Sequence, residues 1–275
     1  MASSDVLAIE RLNSDAVAGG LALSDAAGWN QSADDWSFFI AAGAALGVRD
    51  EAGTLIATAA ALPYDAATGW ISMVLVDAAQ RHRGIASQLV DACVASSTGT
   101  RPAGAAVYAK IGYVAGFAFE RWEGGGAATI AATGAESGIA VVSSQGETLI
   151  AHDRNACGVD RALLLRSFLA RPATRAWLAP RGEGFALRRA GRRAAQVGPI
   201  VAADDAAALE LLGVALDGTA GRVFIDIPAH RTAIADALTR RGFVRQRPFV
   251  RMALGDAGAA AARERVFALA GPEFG

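Results

Sequence analysis

Polar and apolar residues alternate over residues 6–12, the period of a strand with one face in a core. Ser14 then offers an N-cap for a helix over 15–23. Ser32, three residues before Asp35, has the form of a capping box that opens a second helix over 33–42. Two alternating runs, 44–49 and 54–62, flank Glu51-Ala52-Gly53 and predict a hairpin. Residues 70–76 are almost continuously apolar, which predicts a strand covered on both faces. Over 84–97 the spacing turns helical, with Ile85, Leu89, Ala92 and Cys93 on one face. A short helix over 105–111 and a strand over 116–122 close this half.

Glu123-Gly124-Gly125-Gly126 introduces a Gly, Ala, Thr and Ser stretch that reads as a linker over 124–138. Beyond it the same mixed grammar returns. Helices are expected at 160–170, 205–216 and 231–241, and strands at 175–178, 184–189, 196–201, 222–227 and 249–254. The fold class is α/β, in the sense of a mixed α+β sheet, with domains over 1–123 and 139–275. Each is expected to be a twisted mixed sheet flanked by helices.

The two halves also share a motif. Gly112-Tyr113-Val114 with Phe119, Arg121 and Trp122 is answered by Gly242-Phe243-Val244 with Phe249, Arg251 and Met252. Upstream, Val76 and the helix with Ala86 and Leu89 match Val201 and the helix with Ala206 and Leu209. The second copy has the shorter strand-to-helix turn. This is read as a diverged internal duplication.

Composition narrows the classes. The 275 residues carry 26 Lys plus Arg against 27 Asp plus Glu, a net charge of -1 with no basic run. That disfavours a nucleic-acid-coating surface or a polybasic membrane arm. Charges break every stretch long enough to span a bilayer, and no secretory leader opens the chain, so a cytoplasmic location without membrane contact is expected. Cys93 and Cys157 match no zinc spacing, and three scattered histidines suggest no metal site. Monomer and homodimer stay equally open.

Arg81-His82-Arg83-Gly84-Ile85-Ala86 fits Arg-x-x-Gly-x-Ala, a pattern that this Ala- and Arg-rich chain meets again at 101–106 and 181–186. Only the first match follows a long buried-strand pattern and opens a full amphipathic helix. There, successive amides and a helix N-terminus can converge on an anion. Small residues at 84 and 86 let phosphate oxygens approach, and Arg81 and Arg83 add forked donors.

This segment, Val74-Leu75-Val76-Asp77 followed by Gln80 to Ala86, resembles the acetyl-CoA motif of the GNAT N-acetyltransferase superfamily. Val107-Tyr108-Ala109-Lys110-Ile111-Gly112-Tyr113 is similar to the Tyr-x-x-x-Gly-aromatic element that follows it in that superfamily. Gly198-Pro199, Asp226-Ile227-Pro228, Gly242-Phe243 and Arg251-Met252 resemble the second domain of tandem-GNAT proteins, as in the YitH-like group.

The resemblance implies two GNAT-like domains in tandem and an acetyl-CoA co-substrate without a metal. Val74, Leu75 and Val76 would pair with pantetheine, and an amide near Val74 would polarise the thioester carbonyl. Arg81, His82, Arg83, Gly84, Ile85, Ala86 and Ser87 would cradle the phosphates. Tyr108 matches the family's general acid, against the alternative of a core aromatic. The base could be Asp25, Asp34 or Asp35, with Asp35 equally well explained as a cap, or bulk water could suffice. Trp29, Asn30, Trp36, Trp70 and Ser72 are acceptor-site candidates, each open to a packing explanation.

The second half lacks the anion loop and places Asp204 and Asp205 at its helix N-terminus, where they would repel a pyrophosphate. It is expected to bind no CoA and to help choose the substrate. Its polar cluster at 152–161 either lines a cleft or caps a helix. The expected reaction is acetyl transfer to the primary amine of a small molecule by direct attack. The alternative is a non-catalytic acyl-CoA sensor or interaction module.

Overall fold

The computed structural model describes residues 8–65, 68–96, 113–125, 140–141, 146–179, 183–254 and 263–275. Tyr108, Lys110, the expected helix over 105–111 and the linker beyond residue 125 lie outside them. The chain divides into two compact units between Tyr113 and Val114.

In the first unit, strands β1 (Ile9–Arg11), β2 (Ala44–Arg49), β3 (Leu55–Pro63) and β4 (Gly69–Val76) form an antiparallel sheet in that order. Helices α1 (Val17–Ala26) and α2 (Ala33–Ala42) precede the hairpin, and α3 (Ile85–Ser96) follows β4. Ser14 does not cap α1 as expected. Asn13 instead caps a 3-10 turn over Ser14–Ala16 by accepting the Asp15 amide, and α1 continues from that turn. The Ser32–Asp35 capping box is present in both directions, at 2.8 and 3.2 Å. Ile85, Leu89 and Cys93 bury the expected face of α3 against Val48, Ala57, Ala59 and Ile71. Each large aliphatic side chain buried there contributes about 2 kcal/mol.

In the second unit, β5 (Val114–Gly125) is followed by β6 (Ala140–Val141), α4 (Gly146–Cys157) and α5 (Ala162–Leu169). Then come β7 (Arg175–Leu178), β8 (Phe185–Arg189), β9 (Ala195–Val201) and α6 (Asp205–Leu216). β10 (Arg222–Pro228), α7 (Thr232–Arg240), β11 (Val244–Ala253) and β12 (Val266–Ala268) complete it. The sheet runs β11-β5-β10-β9-β8-β7-β6, with β12 also paired to β9. All neighbours are antiparallel except β9 and β10. Helix α4 escaped the sequence reading because its polar residues around 152–157 looked like a loop cluster.

β5, which the sequence places at the end of the first half, lies between β10 and β11. The Arg121 guanidinium holds it there, donating to both Asp226 oxygens at 2.9 and 2.8 Å. Gln196 of β9 donates to the same carboxylate at 2.9 Å. All three residues are buried, so losing either Arg121 or Asp226 would strand a charge at a cost of about 3–5 kcal/mol.

The internal repeat acquires a geometry here. β5 and β11 are the last strands of the two copies, and they pair with each other. Phe119 sits opposite Phe249, its counterpart in the motif. Around that pair, Val114↔Ala253 exchanges with Val244↔Glu123, and Ala118↔Val250 with Pro248↔Glu120, when one copy is laid on the other. The two strands are related by a local pseudo-two-fold through the phenylalanines, as a duplication would leave.

Candidate acyl-transfer site

The site is built around an irregularity in β4. Thr58 of β3 pairs with Leu75 and Ala60 pairs with Ser72, so Ala59 alone faces both Met73 and Val74. This is a β-bulge. Met73 takes a left-handed φ of 54° while fully buried, an uncommon state for a side chain of this size. The buried Thr58 hydroxyl donates to the Met73 carbonyl at 2.9 Å and pins the bulge. Beyond it, β4 is the edge of its sheet among the described residues, so Val74, Leu75 and Val76 lie along a strand edge that no other described strand covers.

The turn after β4 is equally specific. Asp77 caps a 3-10 turn over Ala78–Gln80 by accepting the Ala79 amide at 2.9 Å. His82 and Gly84 both have left-handed φ, 63° and 77°, while Arg83 between them does not. Such alternation turns successive amides toward one side and forms an anion-binding nest. The amides of Ile85, Ala86 and Ser87 belong to the first turn of α3 and have no intrahelical acceptor. A Cβ at Gly84 would meet nothing within 4 Å, so the approach to this backbone is open. Arg81 and Arg83 are exposed, Arg81 Nε donating to the Val76 carbonyl at 3.2 Å and Arg83 to the Gln80 side chain. Two exposed arginines therefore flank an accessible loop at a helix N-terminus, donors of a kind suited to an anion.

On the acceptor side the candidates separate. Trp36 is fully buried, its ring lies where a Cβ on Gly20 would sit, and its indole donates to Ser24 Oγ at 3.1 Å. It is a core residue with no surface to offer an acceptor, contrary to the sequence expectation. Asp35 is likewise buried, and its Oδ2 accepts from the Ser32 amide at 2.8 Å and the Ser32 hydroxyl at 3.0 Å, as the capping reading expects. Asp25 and Asp34 are exposed. Trp29 is half-buried, and Asn30, Trp70 and Ser72 are buried. Among the described residues Ser72 Oγ and Gln31 Oε1 meet no hydrogen-bond partner, although both residues are more than nine-tenths buried. Leaving such groups unmet costs free energy. Gln31 was passed over in the sequence because a lone glutamine in a loop carries no spacing signal.

Tyr113, the aromatic of the Tyr-x-x-x-Gly element, is buried, and burial pushes its phenol pKa well above the usual range, with Asp91 and Cys93 adding to the shift. Burial also pushes the Cys93 thiol up to about 12. In the second unit the 152–161 cluster spans the end of α4 and the loop into α5, where Asp160 accepts the Ala162 amide at 2.9 Å. Arg161 grips the buried Asp153 carboxylate at 3.0 and 2.6 Å and donates to the Cys157 sulfur at 3.1 Å. Burial raises the Cys157 thiol to about 12, with Arg161 pulling the other way and Asp153 adding to the rise. Asp204 caps α6 by accepting the Ala207 amide at 2.9 Å, so a carboxylate already fills the place where the first half opens its anion loop. Among the described residues no cluster of metal-ligating side chains occurs, and no helix is long and apolar enough to cross a membrane.

Comparison with known families agrees with this geometry. Residues 18–125 match the model for the acetyltransferase (GNAT) family, and residues 149–268 match that for an acetyltransferase (GNAT) domain. The chain is a GNAT acetyltransferase with two such domains in tandem. No match is found among curated protein sequences. Solved structures share the GNAT fold at low identity. An acetyltransferase candidate from Pyrococcus horikoshii superposes with a TM-score of 0.82 at 18% identity, over 98% of this chain and 96% of that one. A tandem GNAT protein from the clavulanic acid biosynthesis pathway gives 0.63 at 16%, over 92% and 99%. A GCN5-related N-acetyltransferase from Sphaerobacter thermophilus gives 0.63 at 13%, over 90% and 95%.

Proposed function

We propose that the first GNAT domain transfers an acetyl group from acetyl-CoA to the primary amine of a small molecule, and that the second takes up no CoA. The observation that carries this reading is the bulged edge strand β4 running into the left-handed loop at His82 and Gly84 and the open first turn of α3. The residues fit the co-substrate along its length. The loop amides with Arg81 and Arg83 meet the phosphates, and the backbone of Val74, Leu75 and Val76 meets the pantetheine amides.

The bulge puts Met73 and Val74 out of register with β3, and in this reading the amide near Val74 meets the thioester oxygen. A fixed donor at that point stabilises the charge that develops during attack, and such donors are worth roughly a hundredfold or more in rate. The acceptor amine attacks the thioester carbon directly, and the tetrahedral intermediate so formed collapses with cleavage of the carbon–sulfur bond and departure of the CoA thiolate. The amine must arrive unprotonated, and Asp34, exposed on the first turn of α2, is the carboxylate proposed to take its proton through water. Gln31 and Ser72 hold the acceptor. Tyr108 donates a proton to the departing CoA thiolate, an assignment that rests on its place in the sequence motif. A near-neutral chain without a basic stripe favours a small acceptor over a nucleic acid.

Titration calorimetry with acetyl-CoA tests the first step, and a panel of amines with a readout of CoA release tests the second. Gly84→Glu should weaken binding at least a hundredfold by placing a carboxylate in the anion site. Tyr108→Phe should slow CoA release ten- to a thousandfold with acetyl-CoA binding intact. Absence of acetyl-CoA binding, or binding indifferent to Gly84→Glu, would overturn the proposal.

A further inference from the structure

The outer edge of β4, which no other strand covers among the described residues, has a closed counterpart in the second domain. The repeat matches Val76 at the end of β4 to Val201 at the end of β9. β9 and β10 run parallel and paired only through Ala195, Gln196 and Val197. They then part at Gly198, and the chain's own β12 enters between them. β12 pairs antiparallel with β9, Val266 opposite Val201 and Ala268 opposite Ile200. On the other side the Leu269 amide donates to the Asp226 carbonyl of β10 at 2.8 Å. Gly198 admits this close passage, since a Cβ there would stand 2.0 Å from the Leu269 carbonyl oxygen.

The rest of the segment is held as firmly. Ala202 donates to the Arg265 carbonyl at 3.0 Å, and Arg231 Nε donates to the Val266 carbonyl at 3.0 Å. The Arg231 guanidinium lies 3.9 Å from the centre of the Phe267 ring. Phe267 and Phe274 are fully buried. At the far end Arg161, fixed by Asp153, donates to the Gly275 carbonyl. The polar cluster at 152–161 thus has a partner, and it is this segment.

We propose that residues 263–275 are an intramolecular ligand of the second domain, taking as a strand the edge of β9 whose counterpart on β4 is left for acyl-CoA. This rests on the reading that the first domain binds acyl-CoA along β4. An extended backbone with alternating donors and acceptors satisfies a parted strand edge as pantetheine amides would, and here the chain supplies that backbone itself. Each chain then binds one acyl-CoA, and the second domain serves as a sealed scaffold.

Titration calorimetry and hydrogen exchange on the full chain test this together. Acetyl-CoA should bind with a stoichiometry of one, and Gly84→Glu should remove it. The Ala268 and Leu269 amides should be protected roughly a thousandfold without ligand and change less than about twofold at saturating acetyl-CoA. Leu269→Pro deletes the donor to Asp226 and should speed exchange at neighbouring amides about tenfold, with stoichiometry and affinity unchanged. Two equivalents bound, or loss of protection at Ala268 and Leu269 on adding acetyl-CoA, would overturn the proposal. So would rapid exchange there in the free protein. A single equivalent that survives Gly84→Glu without disturbing those amides would instead overturn the reading of the first domain and leave the sealed second domain standing.

Discussion

Phe119 and Phe249 stack face to face, ring centroids 4.9 Å apart and planes 3° from parallel. They are also the same position in the two copies of the repeat. The contact that duplication made symmetric therefore lies at the pseudo-two-fold itself. Truncating either to leucine should destabilise the second unit, and the double variant should cost less than the sum. Urea unfolding of the four-member cycle should show a coupling of about 1 kcal/mol. Strict additivity would mean that the stacking contributes nothing beyond area.

Thr58→Val exchanges a buried hydroxyl for a methyl and orphans the Met73 carbonyl. The fold should lose about 1 kcal/mol, read as a lower urea midpoint. Turnover should fall further than that, by about tenfold, on the proposed reading that the bulge aims an amide at the thioester. Equal losses in stability and turnover would show that the hydroxyl is only structural.

Trp36 and Gln31 make opposite predictions although they lie close together in the sequence. Trp36→Phe opens a gap beside Gly20 and frees Ser24, and should cost about 2 kcal/mol with the acceptor KM unchanged. Gln31→Leu removes an unmet buried polar atom, so stability should hold or rise by about 1 kcal/mol while the acceptor KM rises several-fold. A destabilised Gln31→Leu with normal kinetics would place the carboxamide in the architecture rather than the site.

The thiols set a pH dependence at the alkaline end. Cys93 and Cys157 are raised from the usual 9.0 to about 12 in the fold, chiefly by burial. Between those values the unfolded chain has released protons that the folded chain keeps, so folding weakens as pH rises. Stability should be flat to about pH 8 and then fall by at most about 1.4 kcal/mol per pH unit for each thiol. Tyr113, raised by burial from 10.0, acts in the same direction at higher pH. Urea midpoints across pH 7 to about 10.5, with a thiol reagent at pH 8, check this. Two fast-reacting thiols in the folded protein would contradict it.

Most strands and helices were legible in the sequence because their periods are long and their caps explicit. Ser32 and Asp35 are the clearest case. The anion loop was legible only through its surroundings, since Arg-x-x-Gly-x-Ala recurs in a chain so rich in Arg and Ala. The bulge was not legible, because Met73 looks like any apolar strand residue and its left-handed φ follows from register with β3. Trp36 misled because an aromatic near a polar loop carries the same signature whether it lines a pocket or fills a core. Helix α4 was hidden because Asp153 and Arg154 are polar for different reasons, one buried against Arg161 and one exposed beside Asp160. β12 is too short for periodicity to register.

The position of β5 bears on how such a protein is inherited. A gene divided at the glycine run would deliver the second sheet without the strand between β10 and β11, and Asp226 without its arginine. Two unpaired edges and a buried lone carboxylate are a poor starting point for selection. Recombination can therefore pass on the pair of domains, or cut ahead of Val114, but it cannot trade the second domain at the stretch that looks most like a seam.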